Sequence, residues 1–125
     1  MRLRIALLVL ALAPAAASDV AGRDNGQWVN SPTYIRQWFQ SLMQPDNPAV
    51  SCCGEADAFE ADNFEVDGDR YVAVITDGKG VIPNGTRIAV PNSKVKWDQG
   101  NPTGHGIIFI GAGGTLYCYV TPGGA

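Results

Sequence analysis

The chain is poor in the residues on which most metal and catalytic motifs depend. It holds one histidine, His105, and three cysteines, Cys52, Cys53 and Cys118, in 125 residues. A single imidazole excludes paired-histidine metal motifs, and no two cysteines stand in the C-x-x-C spacing of zinc ribbons and redox centres. Positive charge is also scarce: 9 Lys and Arg face 12 Asp and Glu, for a net charge of −3. Past the first four residues the only local basic pair is Lys94 and Lys96. Nucleic acid and anionic membranes recruit clustered Lys and Arg, so a mildly acidic domain is a poor binder of either, and nucleic acid is not expected as a partner. Long apolar runs are missing too. The longest begins at Ile5 and ends at Ala13, too short to span a bilayer.

That short run has a meaning of its own. It follows the basic start Met1-Arg2-Leu3-Arg4 and precedes Pro14-Ala15-Ala16-Ala17, with small residues at the A-x-A positions. This is the pattern of a secretory signal peptide over residues 1–17, cleaved before Ser18. The expected product stays out of the membrane, in a periplasm or outside the cell, where disulfides persist. Residues 18–30 (SDVAGRDNGQWVN) are polar and read as a flexible N-terminal segment, with Trp28 as an anchor. Residues 31–125 read as a single domain, and a core of that size gains from a covalent staple.

The clearest element in that domain is a helix. Ser31 suits the N-cap and Pro32 the first helical position. Ile35, Trp38, Phe39, Leu42 and Met43 repeat at helical spacing and make one apolar stripe, which predicts packing against a sheet. Pro45 disfavours helix at Gln44 and should end it there. From Phe64 the period changes to two. Phe64–Val66 and Arg70–Ile75 flank Asp67-Gly68-Asp69, a hairpin signal. Thr86–Val90 gives a third strand. Ile107–Ile110, apolar throughout, reads as a central strand, and Thr115–Val120 as the last. Residues 97–106 form a long loop. The fold class is therefore α+β and mainly β. One N-terminal amphipathic helix packs on a small antiparallel meander of about five strands, which could curl into an SH3-like barrel.

The chemistry concentrates in residues 51–57, SCCGEAD. In an exported domain of this size a disulfide is the default, so Cys118 should pair with Cys53 or Cys52. A bridge of that span stabilises by roughly 4 kcal/mol in the chain-entropy treatment. Neighbouring residues point in different directions, so only one of the two can face Cys118. A second reading takes Cys52, Cys53, Glu55, Asp57 and His105 as ligands for zinc or copper. A third pairs Cys53 as nucleophile with His105 as base. The stretch Gly104-His105-Gly106-Ile107-Ile108-Phe109-Ile110-Gly111 resembles the histidine-bearing strand of NlpC/P60-type cell-wall peptidases, which implies Cys–His hydrolysis of cell-wall peptide. Against it, Glu55 and Asp57 raise the pKa of a nearby thiol and weaken it as a nucleophile. The loop at 100–106 lacks the Lys-Ser/Thr of a phosphate-binding loop. A binding surface is expected from Trp97, Asn101, His105, Tyr117 and Tyr119, the two tyrosines sharing the face of the last strand that Cys118 does not use.

Across the domain, Trp38-Phe39 with Leu42, Gln44-Pro45-Asp46, SCCGEAD, Asn101-Pro102-Thr103-Gly104 and Tyr117-Cys118-Tyr119 together resemble a group of small, uncharacterised exported proteins of Gram-negative bacteria, notably alphaproteobacteria. The resemblance implies export and carries no activity with it. Looser relatives hold a further cysteine where Ala58 stands here, which implies that the odd thiol lost a partner. The expectation is a non-enzymatic binding or structural module of the cell envelope, without a cofactor, whose partner is an envelope protein or a small ligand.

Overall fold

The computed structural model describes residues 26–97 and 100–122; the expected signal peptide and residues 18–25 lie outside them. The protein is mainly β, with one α-helix. The helix, α1 (Thr33–Ser41), starts from Pro32, whose backbone stands in place of the expected Ser31 cap and makes no side-chain capping bond. It ends early, because Leu42 turns extended and Met43 and Gln44 join a sheet instead. That sheet is a small antiparallel hairpin of β1 (Met43–Gln44) and β2 (Asn47–Ser51).

A short 3-10 turn (Glu55–Asp57) leads into the central sheet. Its strands are β3 (Ala58–Glu60), β7 (Val95–Lys96), β8 (Ile107–Ile110) and β9 (Leu116–Val120), in the order β3-β8-β9-β7. Between β3 and β7 the chain builds a second, antiparallel sheet from β4 (Asn63–Asp67), β5 (Arg70–Val74) and β6 (Arg87–Val90). The β4–β5 turn is the expected hairpin: Asp67 pairs with Arg70, and Gly68 takes the positive φ of 63° that such a turn needs.

Two expectations are corrected. The strands do not close into a barrel; they form separate sheets. Nor is the arrangement a pure antiparallel meander, since β7 runs parallel to β9. Nine strands are present among the described residues, against about five expected. The extra ones are short, and β2 contains Pro48, which demotes a run as a strand candidate.

Strand β8 is central, between β3 and β9, as its unbroken apolar run requires. Both faces of its sheet are covered. On one, Ala58, Ile107, Phe109, Cys118 and Val120 meet Phe39, Leu42, Cys52 and Trp28. On the other, Phe59, Ala61, Ile108 and Tyr119 meet Ala73, Ile75 and Val90 of the second sheet and its continuation. Within the helix only Phe39 is fully buried; Ile35 and Trp38 are partly so. Phe39 meets Phe109 edge-on at 6.0 Å and Trp28 at 4.6 Å. Trp28 is 7 % exposed and donates its indole N–H to Ala58 O at 2.9 Å. The turn at 26–30 is thus docked onto the domain.

Candidate functional site

The cysteine question is settled by the end of β2. The pair is Cys52–Cys118, with Cα atoms 5.6 Å apart, and Cys53 is free and exposed. The first-choice pairing, Cys53–Cys118, is therefore corrected to its alternative. The cause is local. Cys52 N–H bonds Leu42 O at 2.9 Å, which seats Cys52 as the last inward-facing residue beside β1. The chain then reverses through Cys53 at φ 78° and Gly54 at φ 71°, turning the second side chain outward. The Cys53 N–H donates to Ser51 Oγ at 2.8 Å. Ala58 lies fully buried in the cluster that holds Cys52 and Cys118, whereas Cys53 faces solvent. The structure therefore gives no direct support to a lost partnership between positions 53 and 58.

The surroundings of Cys53 disfavour its thiolate. Partial burial pushes the thiol up from its ordinary value and the Asp57 charge pushes it further, against a smaller lowering by a hydrogen bond from Tyr117. Tyr117 is likewise raised, by burial and then by Cys53 and Asp57. Glu55 is engaged elsewhere. Arg36 grips its carboxylate through two nitrogens, at 2.9 and 3.1 Å, and holds its pKa below the ordinary value.

His105 stands at the other end of β8. Tyr117, beside Cys53, lies next to the Phe109–Ile110 end, while His105 precedes Ile107. At strand rise the two ends are on the order of 10–15 Å apart. The Cys53–His105 dyad is therefore not assembled. The proposed ligand set of Cys52, Cys53, Glu55, Asp57 and His105 is also scattered: Cys52 is in the disulfide and Glu55 on Arg36. His105 has other company. Its Nδ1 lies 3.0 and 3.2 Å from the two Asp62 oxygens, and its Nε2 lies 4.0 Å from Glu60 Oε1. Residues 60 and 62 were not singled out in the sequence. Their signal was there, two carboxylates two residues apart at a strand end and hence on one side, but nothing in it named their partner, His105, which lies 43 residues beyond Asp62.

The loop that carries His105 is firmly built. Asn101, expected at a surface, is 9 % exposed and serves as its clamp. Its amide donates to His105 O at 2.6 Å and Thr121 O at 3.2 Å, while its oxygen accepts from Thr103 N and Oγ1 at 2.9 and 2.6 Å. Gly106 N–H donates to Asp62 Oδ1 at 3.1 Å. A Cβ at Gly106 would collide with Ala61 O and the Tyr119 hydroxyl, so only glycine lets the loop approach β3 this closely.

Tyr117 and Tyr119 do not share a face. The β8–β9 register slips between Phe109 and Ile110, so that Cys118 opposes Phe109 and Leu116 opposes Ile110. Tyr117 is the extra residue of a bulge, which breaks the alternation and places it with the Cys118 cluster. Tyr119 is fully buried on the opposite side and donates its hydroxyl to Ala61 O at 2.7 Å. Its pKa is raised by burial and by Asp62.

Of the expected surface residues, Trp97 remains the most open, at 53 %. It meets Phe64 edge-on at 5.9 Å and Tyr71 at 5.6 Å. Phe64 is stacked between Tyr119 and Tyr71, at 5.2 and 5.0 Å. The result is a file of rings running from the core to the surface, with Trp97 across its end and Val66, 68 % exposed, next to Tyr71 on the neighbouring strand. Two open depressions, of about 420 and 340 Å³, lie elsewhere and are lined by no histidine, cysteine or aromatic residue.

No helix among the described residues is long and apolar enough to cross a membrane. The chain matches no protein-family model, no curated protein and no solved structure.

Proposed function

We propose that the protein is an exported, non-enzymatic binding module of the bacterial cell envelope, kept folded by one disulfide, that takes a small ligand with a flat C–H-rich face, such as a pyranose ring, on Trp97. The observation that carries this reading is Trp97 itself: half exposed, yet held edge-on by two rings of a stack anchored in the core. A rigid indole loses little entropy when a ring settles on it. The acidic net charge favours a neutral or cationic ligand over an anionic one. The signal-peptide pattern at residues 1–17 supports export, and a Cys52–Cys118 bridge fits an oxidising compartment. The resemblance to small exported alphaproteobacterial proteins points the same way. The thiol at Cys53, raised by burial and Asp57 and far from His105, supports a binder over a Cys–His hydrolase.

Titration with soluble glycan-strand fragments, followed by tryptophan fluorescence, tests the reading. Saturable binding in the millimolar to micromolar range, about 4–8 kcal/mol, is expected. Trp97→Ala should weaken it about tenfold or more, as loss of an aromatic anchor does. Trp38→Phe should leave it unchanged. Absence of saturation, or binding indifferent to Trp97→Ala, rules the reading out.

A further inference from the structure

The cluster around His105 gathers two carboxylates about one imidazole. Asp62 is fully engaged: Oδ1 accepts from Gly106 N–H at 3.1 Å, Oδ2 from Thr76 Oγ1 at 2.9 Å, and both lie against His105 Nδ1. Nδ1 therefore carries the hydrogen and donates it to Asp62. The other ring nitrogen, Nε2, lies 4.0 Å from Glu60 Oε1. Glu60 itself is poorly satisfied. Its side chain is 17 % exposed, its carboxylate receives no hydrogen bond from the described residues, and its ion pair with Lys79 Nζ is a long one, at 3.7 Å. Lys79 is shared with Asp77, at 2.9 Å, and lies over the Trp28 ring, 4.6 Å from its centroid. A largely buried carboxylate that accepts no hydrogen bond has capacity left for a further cationic ligand beside Lys79.

We infer that Glu60 and His105 Nε2 form a binding site for a divalent transition-metal ion of the zinc class, with Asp62 as the positioning residue that fixes the imidazole through Nδ1. The ligand-type atoms of Glu60, Asp62 and His105 all lie within 4.8 Å of one another. On a tetrahedral zinc, nitrogen and oxygen ligands stand roughly 3.3 Å apart, so a shift of well under 1 Å at the Glu60 carboxylate closes the pair on an ion. A carboxylate on the far nitrogen of a ligating histidine is the usual outer partner of such a site; it orients the ring and raises its basicity. One imidazole with one carboxylate selects zinc, nickel or copper over magnesium and calcium, which take oxygen ligands. Water fills the remaining positions, since His105 is half exposed. This site is distinct from the Trp97 surface and does not depend on it. It uses no cysteine.

The test is calorimetric titration with zinc alone, Cys53 alkylated to remove the thiol, at about pH 7.5, since ligand protonation makes metal affinity pH-dependent. One equivalent should bind. Glu60→Gln and His105→Ala should each weaken binding at least tenfold, and Asp62→Asn about tenfold. Lys79→Met, which removes the neighbouring ammonium, should strengthen it. Should a variant fail to fold, ¹⁵N spectra of the labelled wild-type histidine decide instead: zinc should move the Nε2 resonance and leave Nδ1 protonated. No saturable binding, binding that survives His105→Ala, or a shift at Nδ1 overturns the inference.

Discussion

The two ends of strand β8 carry the two reactive side-chain types of the molecule, and they are built differently. At the Phe109–Ile110 end, β2 delivers Cys52 to Cys118, and a left-handed turn puts Cys53 outside. Covalent geometry does the work there, helped by the Arg36–Glu55 grip between α1 and the 3-10 turn. At the Ile107 end there is no covalent link. A hydrogen-bond network centred on Asn101 and Asp62 holds His105. The same strand thus separates a stapled end from a polar-network end. Residues that a sequence reading would join into one cysteine–histidine site are kept apart by the length of the strand between them.

The largest way to break this contrast is to cut the staple. Cys52→Ala or Cys118→Ala, each combined with Cys53→Ser, should cost about 3–4 kcal/mol in urea unfolding, close to the loop-entropy value for this bridge. Cys53→Ser alone should stay within about 0.5 kcal/mol, as expected of an exposed side chain. Equal losses at positions 52 and 53 would mean that the pairing described above is wrong. Next in size is the other end. Asn101→Ala strips donors from His105 O and Thr121 O and an acceptor from Thr103, and should cost about 1–3 kcal/mol. Amide exchange should quicken over 101–106 and leave residues 52–57 protected. If exchange quickens at both ends, they are one cooperative unit and not two.

The smallest effect concerns charge. The Glu55 carboxyl in the folded chain lies below its ordinary value, chiefly through its hydrogen bond from Arg36. A group depressed in this way stabilises the fold above its unfolded pKa and ceases to do so as pH falls through the folded value. Stability should therefore decline on acidification below about pH 4.5, and Arg36→Ala should flatten that part of the profile. Arg36 is 40 % exposed, and solvent screening keeps the neutral-pH difference below about 1 kcal/mol. An unchanged acid limb in Arg36→Ala would show that the grip on the stapled end is not formed in solution.

What could be read in the sequence follows from range. The β4–β5 hairpin and the central place of β8 are written in local periodicity and are found; a helix is found too, but it ends at Ser41, so Leu42 and Met43 of the expected amphipathic stripe fall outside it. The signal-peptide pattern and the presence of Cys118 made a disulfide the natural expectation. The choice between Cys52 and Cys53 was not legible, because it hangs on the Leu42–Cys52 hydrogen bond of a hairpin too short to show a period. The Tyr117 bulge had no signal either. Strict alternation put Tyr117 with Tyr119, and one inserted residue moved it across the sheet. His105 was noticed for its rarity, but its partners Glu60 and Asp62 are joined to it only by the β3–β8 pairing. Trp97 was legible as an exposed aromatic. The rings beneath it come from three other strands and were not.

The adjacency of Cys52 and Cys53 also bears on how the chain matures. In the unfolded polymer both thiols close nearly the same loop with Cys118, so chain entropy gives neither an advantage. Discrimination begins only when β1 and β2 pair and the turn at Cys53 forms. A chain oxidised before that moment acquires either bridge with similar ease. The wrong one, Cys53–Cys118, leaves the Cys52 sulfur one residue away. As a thiolate, that sulfur can attack Cys118, form the native bond and release Cys53. In such an exchange the spare cysteine would be the leaving group, and the hairpin bond from Cys52 N–H to Leu42 O would favour the Cys52–Cys118 product.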